Sequence, residues 1–193
     1  MLPIPTQTHA YRICGIDPGT DTMGVCFIDL DVDTRKLTVI EASTYSAGRH
    51  TGLRDHLSET MGNRWVRLNR LSEILYRLLC TYRPHDVVVE SPYLGRFVSA
   101  FEALVECRTM LSQTIRAYDP SLKMLLVDPP TAKLAVGAVV YKGSKENVRE
   151  SLLALSEIGW HCDIDPRRLD EHSVDSVAVA IARAKALIKY WGG

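Results

Sequence analysis

The period of the hydrophobic pattern changes part of the way along the chain, and this change limits the folds open to it. Three early segments have the alternation and turn residues typical of β-strands: Tyr11–Asp17, Met23–Asp29 and Lys36–Ser43. Beyond them, segments with apolar residues at helical spacing alternate with short apolar runs. The early strands favour an antiparallel meander. The sequence therefore predicts an α/β protein, with a mixed sheet covered by helices on both faces.

The later part of the chain contains two predicted strands and four predicted helices. Asp86–Glu90, with three valines at its centre, and Lys123–Val127 are short apolar runs typical of buried strands. The predicted helices are Arg64–Tyr82, Ser99–Tyr118, Lys145–Ile158 and Glu171–Tyr190.

The composition fits one domain with an ordinary core, since 46% of the 193 residues are hydrophobic and no repeat or linker-like tract is present. We assign the domain to 11–190, between an N-terminal extension, 1–10, and a tail, 191–193. No apolar run is long enough to span a bilayer, and residues 1–10 lack the order of a signal peptide. We therefore expect no membrane association.

Five cysteines are scattered along the chain, and none belongs to a C-x-x-C pair. This pattern argues against a disulfide framework and a structural zinc site, and favours reduced thiols. The expected location is the cytoplasm or the nucleoid, with a viral or organellar origin left open.

Formal net charge is zero, whereas a nucleic-acid-binding domain is usually basic. The charges are unevenly distributed: Ser43–Arg83 carries seven arginines against three acids, and Pro129–Arg149 carries four basic residues against one acid. Acids gather elsewhere, near Asp17 and between Asp163 and Asp175. Basic patches beside acidic clusters suit an enzyme that holds phosphates and binds cations, although many other proteins share this pattern.

Two acidic residues stand at the carboxyl ends of predicted strands. Asp17 is followed by Pro18 and Gly19, which force a turn, and Gly24 permits a close approach on the returning strand. Glu90 ends an apolar run, where a carboxylate is costly to bury unless it is paired or binds a metal. Functional residues of parallel α/β sheets gather at strand carboxyl ends, so both acids are candidate site residues.

His172 and Asp175 lie three residues apart at the start of the last predicted helix and project from one face. Converging carboxylates repel one another, so such a site makes sense chiefly when cations occupy it. Oxygen ligands favour Mg²⁺, and an imidazole makes Mn²⁺ at least as acceptable. Two ions roughly 3.5–4 Å apart could activate a water and stabilise the leaving oxygen of a phosphodiester.

Each of these residues, taken singly, also has an ordinary structural explanation. The aspartate of an Asp-Pro-Gly sequence is often a turn residue, and a carboxylate at a strand end is often only solvated. An aspartate near a helix start usually caps the helix or interacts with its dipole. Such structural roles explain less well why two strand-end acids and a helix-borne acid occur together in one chain.

Three segments together resemble RuvC-type Holliday junction resolvases of the ribonuclease H-like superfamily: GIDPGTDTMGVCFID, VVVESPYLGRF and EHSVDSVAVAIARA. The resemblance extends from about Tyr11 to Lys189 and includes the order and spacing of the motifs. It implies a ribonuclease H-like fold with a five-stranded mixed sheet, in which three antiparallel-linked strands precede two parallel ones. The family's catalytic and metal-binding quartet, whose third member is Asp or His, corresponds to Asp17, Glu90, His172 and Asp175.

The same resemblance implies a homodimer that nicks opposing strands of a four-way DNA junction, in DNA recombination and repair. Tyr93 corresponds to an aromatic residue that stacks on an unpaired base, which contributes about 1–3 kcal/mol per base. Lys133 and Lys145 correspond to basic residues that hold the scissile phosphate and neighbouring backbone. Further candidates for contacts with the DNA backbone are Arg96, Lys142 and Arg149.

The predicted helix Ser99–Tyr118 is the expected dimer interface by the same resemblance. A dimer is also what two symmetric nicks would require. The large apolar residues of this helix fit a core equally well, and they are Phe101, Leu104, Val105 and Met110.

Two details of the site stay open. A helix start shifted by one turn would make Glu171 the ligand in place of His172, at the i, i+4 spacing from Asp175. The segment 43–63 is long and polar for a strand-to-helix connection, and it is a candidate for extra DNA contacts.

Other functions fit the same residues. One is a nuclease that cuts branched DNA less strictly or processes RNA, and another is a non-catalytic module that binds branched DNA. Retention of all four ligand positions argues against the module, because a pure binder gains nothing from carboxylates near phosphates. No nucleotide cofactor is expected, since the sequence lacks a G-x-x-x-x-G-K-[ST] phosphate loop.

Overall fold

The computed structural model describes residues 9–48, 53–92, 98–138 and 146–192, which contain six strands and six α-helices. The strands are β1 (Ala10–Asp17), β2 (Thr22–Asp31), β3 (Leu37–Ser46), β4 (Asp86–Glu90), β5 (Met124–Val127) and β6 (Ile158–Trp160). The helices are α1 (Leu53–Met61), α2 (Asn63–Tyr82), α3 (Val98–Tyr118), α4 (Pro129–Ala135), α5 (Glu146–Ala154) and α6 (Glu171–Trp191), and Pro166–Arg168 forms a short 3-10 helix.

All six strands belong to one sheet, in the order β5-β4-β1-β2-β3-β6. β1, β2 and β3 pair in antiparallel fashion, β4 is parallel to β1, and β5 is parallel to β4. This topology confirms the predicted meander followed by parallel strands. The predicted count of five strands is wrong by one, because β6 adds a parallel strand at the edge beside β3.

The sequence prediction missed β6 because the strand lies at the end of the predicted helix Lys145–Ile158. α5 ends at Ala154, and Ile158 pairs with Leu37 instead of continuing the helix. A strand of three residues is too short to show alternation, and its apolar residues extend the helical pattern that precedes them. Pairing with a distant edge strand therefore decides its conformation.

Two helices occupy segments for which no element was predicted. α1 lies within 43–63, and Gly62, with a positive φ of 87°, separates it from α2. α4 begins after Asp128, whose side chain accepts a hydrogen bond from the backbone N–H of Thr131 at 2.9 Å. A capping aspartate followed by proline is a helix-start signal, and this one precedes a helix of only seven residues.

Alternating side chains of β1 divide the core between the two faces of the sheet. Ile13 packs in a cluster with residues of α4, α5 and α6, whereas Cys14 and Ile16 pack in a cluster with residues of α2 and α3. All three side chains are fully buried. Helices therefore cover both faces, as predicted.

Regular structure begins one residue before the predicted domain 11–190 and ends one residue after it, at Ala10 and Trp191. That these residues form a single domain stays a prediction. Within the described ranges, no helix is both long enough and apolar enough to cross a membrane.

Candidate active site

The carboxyl ends of β1 and β4 lie side by side at one end of the sheet. The two strands are parallel neighbours, and Ile16 pairs with Val89 in their register. Asp17 and Glu90 come next on their strands and therefore stand at the same level. Asp17 is buried, with 8% of its surface exposed, and Glu90 is half-buried. The structure thus brings together the two strand-end acids that the sequence analysis identified.

α6 reaches this end of the sheet because two glycines let it approach the strands closely. A Cβ atom on Gly24 would overlap the backbone of His172, and one on Gly15 would overlap the backbone oxygen of Ser176. Residues with a side chain at these positions would hold the helix away from β1 and β2. The element that closely approaches Gly24 is therefore the first turn of α6.

The first turn of α6 is fixed by its own cap. Asp170 is the N-cap residue, and its side chain accepts a hydrogen bond from the backbone N–H of Ser173 at 2.9 Å. With the helix starting in this way, Glu171 is exposed and the ring of His172 contacts Asp17. This geometry favours His172 over Glu171 as the site residue.

The imidazole of His172 is held through both ring nitrogens. Its Nδ1 lies 2.6 Å from Oδ2 of Asp17, and its Nε2 lies 3.0 Å from Oγ1 of Thr22. Burial lowers the pKa of His172, but the hydrogen bond with Asp17 and the negative charges of Asp17, Asp170 and Glu171 outweigh burial and raise the pKa. The orientation of the ring is therefore set on one side by a carboxylate and on the other by a hydroxyl.

Two residues near Asp17 were missed by the sequence analysis, Thr22 and Cys107. Cys107, on α3, lies with its Sγ 3.4 Å from the carbonyl oxygen of Gly19. Burial, followed by the negative charges of Asp17 and Glu106, raises the pKa of the Cys107 thiol to about 12. A threonine after a turn and a cysteine on an amphipathic helix carry no sequence signal for a site, so only the fold could reveal these contacts.

Glu90 is strongly affected by its surroundings. Burial, followed by the negative charges of Asp17 and Asp175, raises the pKa of Glu90 to about 7, and the positive charge of Lys133 opposes this rise. Asp17 also forms a side-chain hydrogen bond with Glu90 that favours the protonated form. Asp175 and Lys133 therefore lie near enough to Glu90 to shift its protonation equilibrium.

Lys133 reaches this site on α4, directly after β5. Val127 at the end of β5 pairs with Glu90, and the backbone N–H of Ser91 donates to the carbonyl oxygen of Val127 at 2.7 Å. α4 begins two residues after Val127, so it starts at the same end of the sheet as Glu90. The half-buried Lys133 brings a positive charge to the carboxylates.

Arg149 is the other candidate for DNA contacts that lies within the described residues. Arg149, on α5, donates from Nη2 to the carbonyl oxygen of Leu169 at 2.6 Å, and so holds the loop before α6. Its contact with DNA stays a prediction. Four other candidates lie outside the residues that the structure describes: Tyr93, Arg96, Lys142 and Lys145.

The apolar residues predicted for a dimer interface differ in their surroundings. Met110 packs against the core on the face that α2 and α3 cover. Phe101, Leu104 and Val105 are half-buried on the same helix. The interface itself stays a prediction.

The donor set fits a hard divalent cation. Asp17, Glu90 and Asp175 supply carboxylate oxygens, and His172 supplies an imidazole. The raised pKa of Glu90 reflects burial and repulsion among these carboxylates, and a cation in their midst would relieve the repulsion. Mg²⁺ or Mn²⁺ therefore suits the chemistry of the site.

Curated proteins of similar sequence carry one name. The RuvC crossover junction endodeoxyribonuclease of Xanthomonas euvesicatoria pv. vesicatoria is 37% identical over 173 residues, which are 90% of this chain and 87% of that protein. The protein of the same name from Xanthomonas oryzae pv. oryzae is 36% identical over the same length and shares of the two chains. No protein-family model matches the chain.

Solved structures share the fold at lower identity. Thermus thermophilus RuvC in complex with a Holliday junction substrate has a TM-score of 0.61 at 17% identity, covering 94% of this chain and 96% of its own. The yeast mitochondrial Holliday junction resolvase has a TM-score of 0.65 at 17% identity, covering 97% and 83%. These neighbours confirm the predicted ribonuclease H-like fold. The sequence identity to the Xanthomonas proteins shows that the chain belongs to the RuvC family of crossover junction endodeoxyribonucleases.

Proposed function

We propose that this chain is a metal-dependent endonuclease that resolves four-way DNA junctions by phosphodiester hydrolysis. The observation that carries the proposal is the convergence of Asp17, Glu90 and His172 beside Lys133, in a chain of the RuvC family. The curated relatives are named crossover junction endodeoxyribonucleases, and one solved neighbour is in complex with a Holliday junction substrate.

The proposed catalytic ion is Mg²⁺, with Mn²⁺ as a substitute, and two ions serve each active site. The proposed ligands are Asp17, Glu90, His172 and Asp175. Their carboxylate oxygens suit a hard ion, and one imidazole is compatible with Mn²⁺. When bound, such a pair of ions activates a water and stabilises the leaving oxygen of the phosphodiester.

The chain itself contributes orientation and charge. Asp17 and Thr22 hold the ring of His172 from both sides. To bind an ion, His172 would release one of these two contacts and lose any proton on that ring nitrogen. Lys133 supplies a compact positive charge close to Glu90. In this proposal, the ammonium group attracts the scissile phosphate into a site whose carboxylates would otherwise repel it.

The proposed active form is a homodimer. Two symmetric nicks in a four-way junction need two active sites related by a two-fold axis. α3 is the proposed interface, because Phe101, Leu104 and Val105 leave part of their apolar surface exposed.

Substitutions at the two strand-end acids test the proposal. We expect Asp17→Asn and Glu90→Gln each to slow cleavage of an immobile four-way DNA junction by at least about 100-fold, while junction binding in EDTA is retained. Asp33→Asn is the matched control, since Asp33 is exposed in the turn between β2 and β3. It should cleave like the unmodified chain.

Full activity of either site variant would refute the assignment of these acids. Cleavage of an RNA–DNA hybrid in preference to the junction, abolished by the same variants, would change the substrate from branched DNA to RNA. Junction binding without cleavage by the unmodified chain, with Mg²⁺ or Mn²⁺ present, would leave only a binding module.

A further inference from the structure

A second group of metal-binding side chains lies outside the active site, in the loop after β6. His161, Cys162 and Asp163 are consecutive and exposed, and they form what we term the His–Cys–Asp cluster. Among the described residues, this is the one group of three or more His, Cys, Asp or Glu whose ligand atoms all lie within 4.8 Å of one another. β2 and β3 separate β6 from β1 in the sheet, so the cluster is distinct from the active site.

The separations within the cluster match those of ligands around one ion. Nδ1 of His161 lies 3.9 Å from Sγ of Cys162 and 3.4 Å from Oδ2 of Asp163. Sγ of Cys162 lies 3.8 Å from Oδ1 of Asp163. Tetrahedral zinc, with bonds of about 2.0–2.3 Å to nitrogen, oxygen and sulfur, separates its ligand atoms by roughly 3.3–3.6 Å. The two Asp163 distances are to different carboxylate oxygens, so rotation of this exposed side chain would bring one oxygen into a set of three ligand atoms.

Backbone hydrogen bonds hold the loop in this shape. The N–H of His161 donates to the carbonyl oxygen of Val39 at 2.8 Å, and the N–H of Ile164 donates to the carbonyl oxygen of His161 at 2.9 Å. The N–H of Asp163 also faces Nδ1 of His161 at 3.5 Å. Nδ1 of His161 therefore faces the inside of the turn, where a bound ion would take the place of this N–H contact.

The surroundings of the cluster attract cations. The cluster borders a groove of about 600 Å³. The groove is lined by two guanidinium groups, those of Arg12 and Arg168, and by four carboxylates. Arg12 forms a buried ion pair with Asp29 at 2.7 Å, and Arg168 lies 3.3 Å from Asp165. Outside the cluster, two guanidinium groups stand against the three carboxylates of Asp29, Glu41 and Asp165, which leaves a formal charge of −1. Asp163 of the cluster brings the total to −2, which favours a cation beside the groove.

We propose that the His–Cys–Asp cluster binds one Zn²⁺ or a similar thiophilic ion. The ligands are Nδ1 of His161, the Cys162 thiolate and a carboxylate oxygen of Asp163, and the thiol releases its proton to solvent on binding. One nitrogen, one sulfur and one oxygen donor suit zinc and disfavour Mg²⁺. Three protein ligands leave the fourth position to water or to a donor from a bound partner. The site uses a single cysteine, so it does not depend on a C-x-x-C pair.

Cobalt substitution tests the proposal without any measurement of cleavage. The full chain carrying Asp17→Asn and Glu90→Gln, which weaken ion binding at the active site, is titrated with Co²⁺ in the presence of a thiol-free reductant. We expect one Co²⁺ per chain and a sulfur-to-cobalt absorption band in the near ultraviolet, which one equivalent of Zn²⁺ abolishes. Zn²⁺ should also raise the thermal midpoint of this protein, since it binds the folded loop.

Further substitutions in the same background assign the ligands. Cys162→Ser should remove the band and the Zn²⁺-dependent rise in the midpoint. His161→Ala and Asp163→Asn should each weaken Zn²⁺ binding at least about tenfold, because even outer-shell partners contribute about 10–100-fold. Cys80→Ser is the matched control, since Cys80 is also an exposed free thiol, and it should retain the band.

A protein that binds Co²⁺ without a sulfur band would overturn the proposal, as would a band that survives Cys162→Ser or disappears with Cys80→Ser. Mg²⁺-dependent cleavage by the chain with Cys162→Ser as its sole change should match that of the unmodified chain. The zinc site and the nuclease activity can therefore fail independently.

Discussion

Glu90 lowers the stability of the metal-free protein. Its pKa is about 7 in the fold, against an ordinary value of 4.5, because burial and the charges of Asp17 and Asp175 disfavour the carboxylate. The folded chain thus retains this proton to a higher pH than the unfolded chain does. The free energy of unfolding therefore falls as pH rises from about 4.5 to about 7, and it stays reduced above that range.

We expect Glu90→Gln to raise the free energy of unfolding at pH 8 in EDTA, because glutamine removes the buried charge. One pKa unit corresponds to about 1.4 kcal/mol, and the partial exposure of Glu90 reduces the effect, so the expected gain is about 1–3 kcal/mol. At pH 4 the difference should nearly disappear, since Glu90 is then largely protonated in both states. Urea unfolding at the two pH values measures this gain. A variant no more stable than the unmodified chain at pH 8 would contradict the electrostatic account of Glu90.

Thr22 positions His172 through one hydrogen bond of 3.0 Å. Thr22→Val keeps the shape of the side chain and removes the hydroxyl, which is worth about 1 kcal/mol, so we expect cleavage to slow about fivefold. Nitrogen NMR shifts of the His172 ring should change at Nε2. Thr22→Ser should restore both the rate and the shifts. An unaltered Nε2 shift in Thr22→Val would show that the hydroxyl does not orient the ring.

Residues of the site differ in how far the sequence could predict them. Asp17 and Glu90 are the last residues of predicted strands, so their positions at strand ends could be inferred and are confirmed. Lys133 was identified only by resemblance, and the structure sets it beside Glu90. Thr22 could not be predicted, because its contact with His172 joins residues 150 positions apart.

At the scale of elements, the packing of α6 on β2 is the contact that assembles the site. We expect Gly24→Ala to move the first turn of α6, because its Cβ would overlap the backbone of His172. The expected loss is about 1–3 kcal/mol in the free energy of unfolding, with a larger proportional loss of cleavage. Gly159→Ala is the control, since its Cβ would lie 3.3 Å from the Thr38 side chain, which can rotate away.

Urea unfolding and junction cleavage measure both variants. Gly24→Ala with unchanged stability and cleavage would contradict the account of how α6 is positioned. Equal losses in the two variants would show that any β-strand glycine is sensitive, whatever its contact with α6.

The long helices and the short apolar strands β4 and β5 were predicted, whereas β6 and α4 were missed. α2 and α6 each extend over about 20 residues, with a clear helical period, and their predicted bounds are within one residue of the observed ones. β6 has three residues and α4 has seven, which is too few for a period to show. Tertiary pairing determines such elements, and the sequence of the element alone does not contain that information.

For the whole molecule, a formal net charge of zero makes long-range attraction to DNA weak. In the proposed function, junction binding depends on local charges such as Lys133 and on the simultaneous use of two active sites. The proposed homodimer would supply the two sites, and its two-fold axis would match the symmetry of a four-way junction.

The most direct measurement is cleavage of a labelled immobile four-way DNA junction, beside a linear duplex of the same sequence and an RNA–DNA hybrid. We expect paired, symmetric nicks in the junction that require Mg²⁺ or Mn²⁺, and no comparable cutting of the linear duplex. Equal cutting of the duplex, preference for the hybrid, or binding without cleavage would contradict the proposed function.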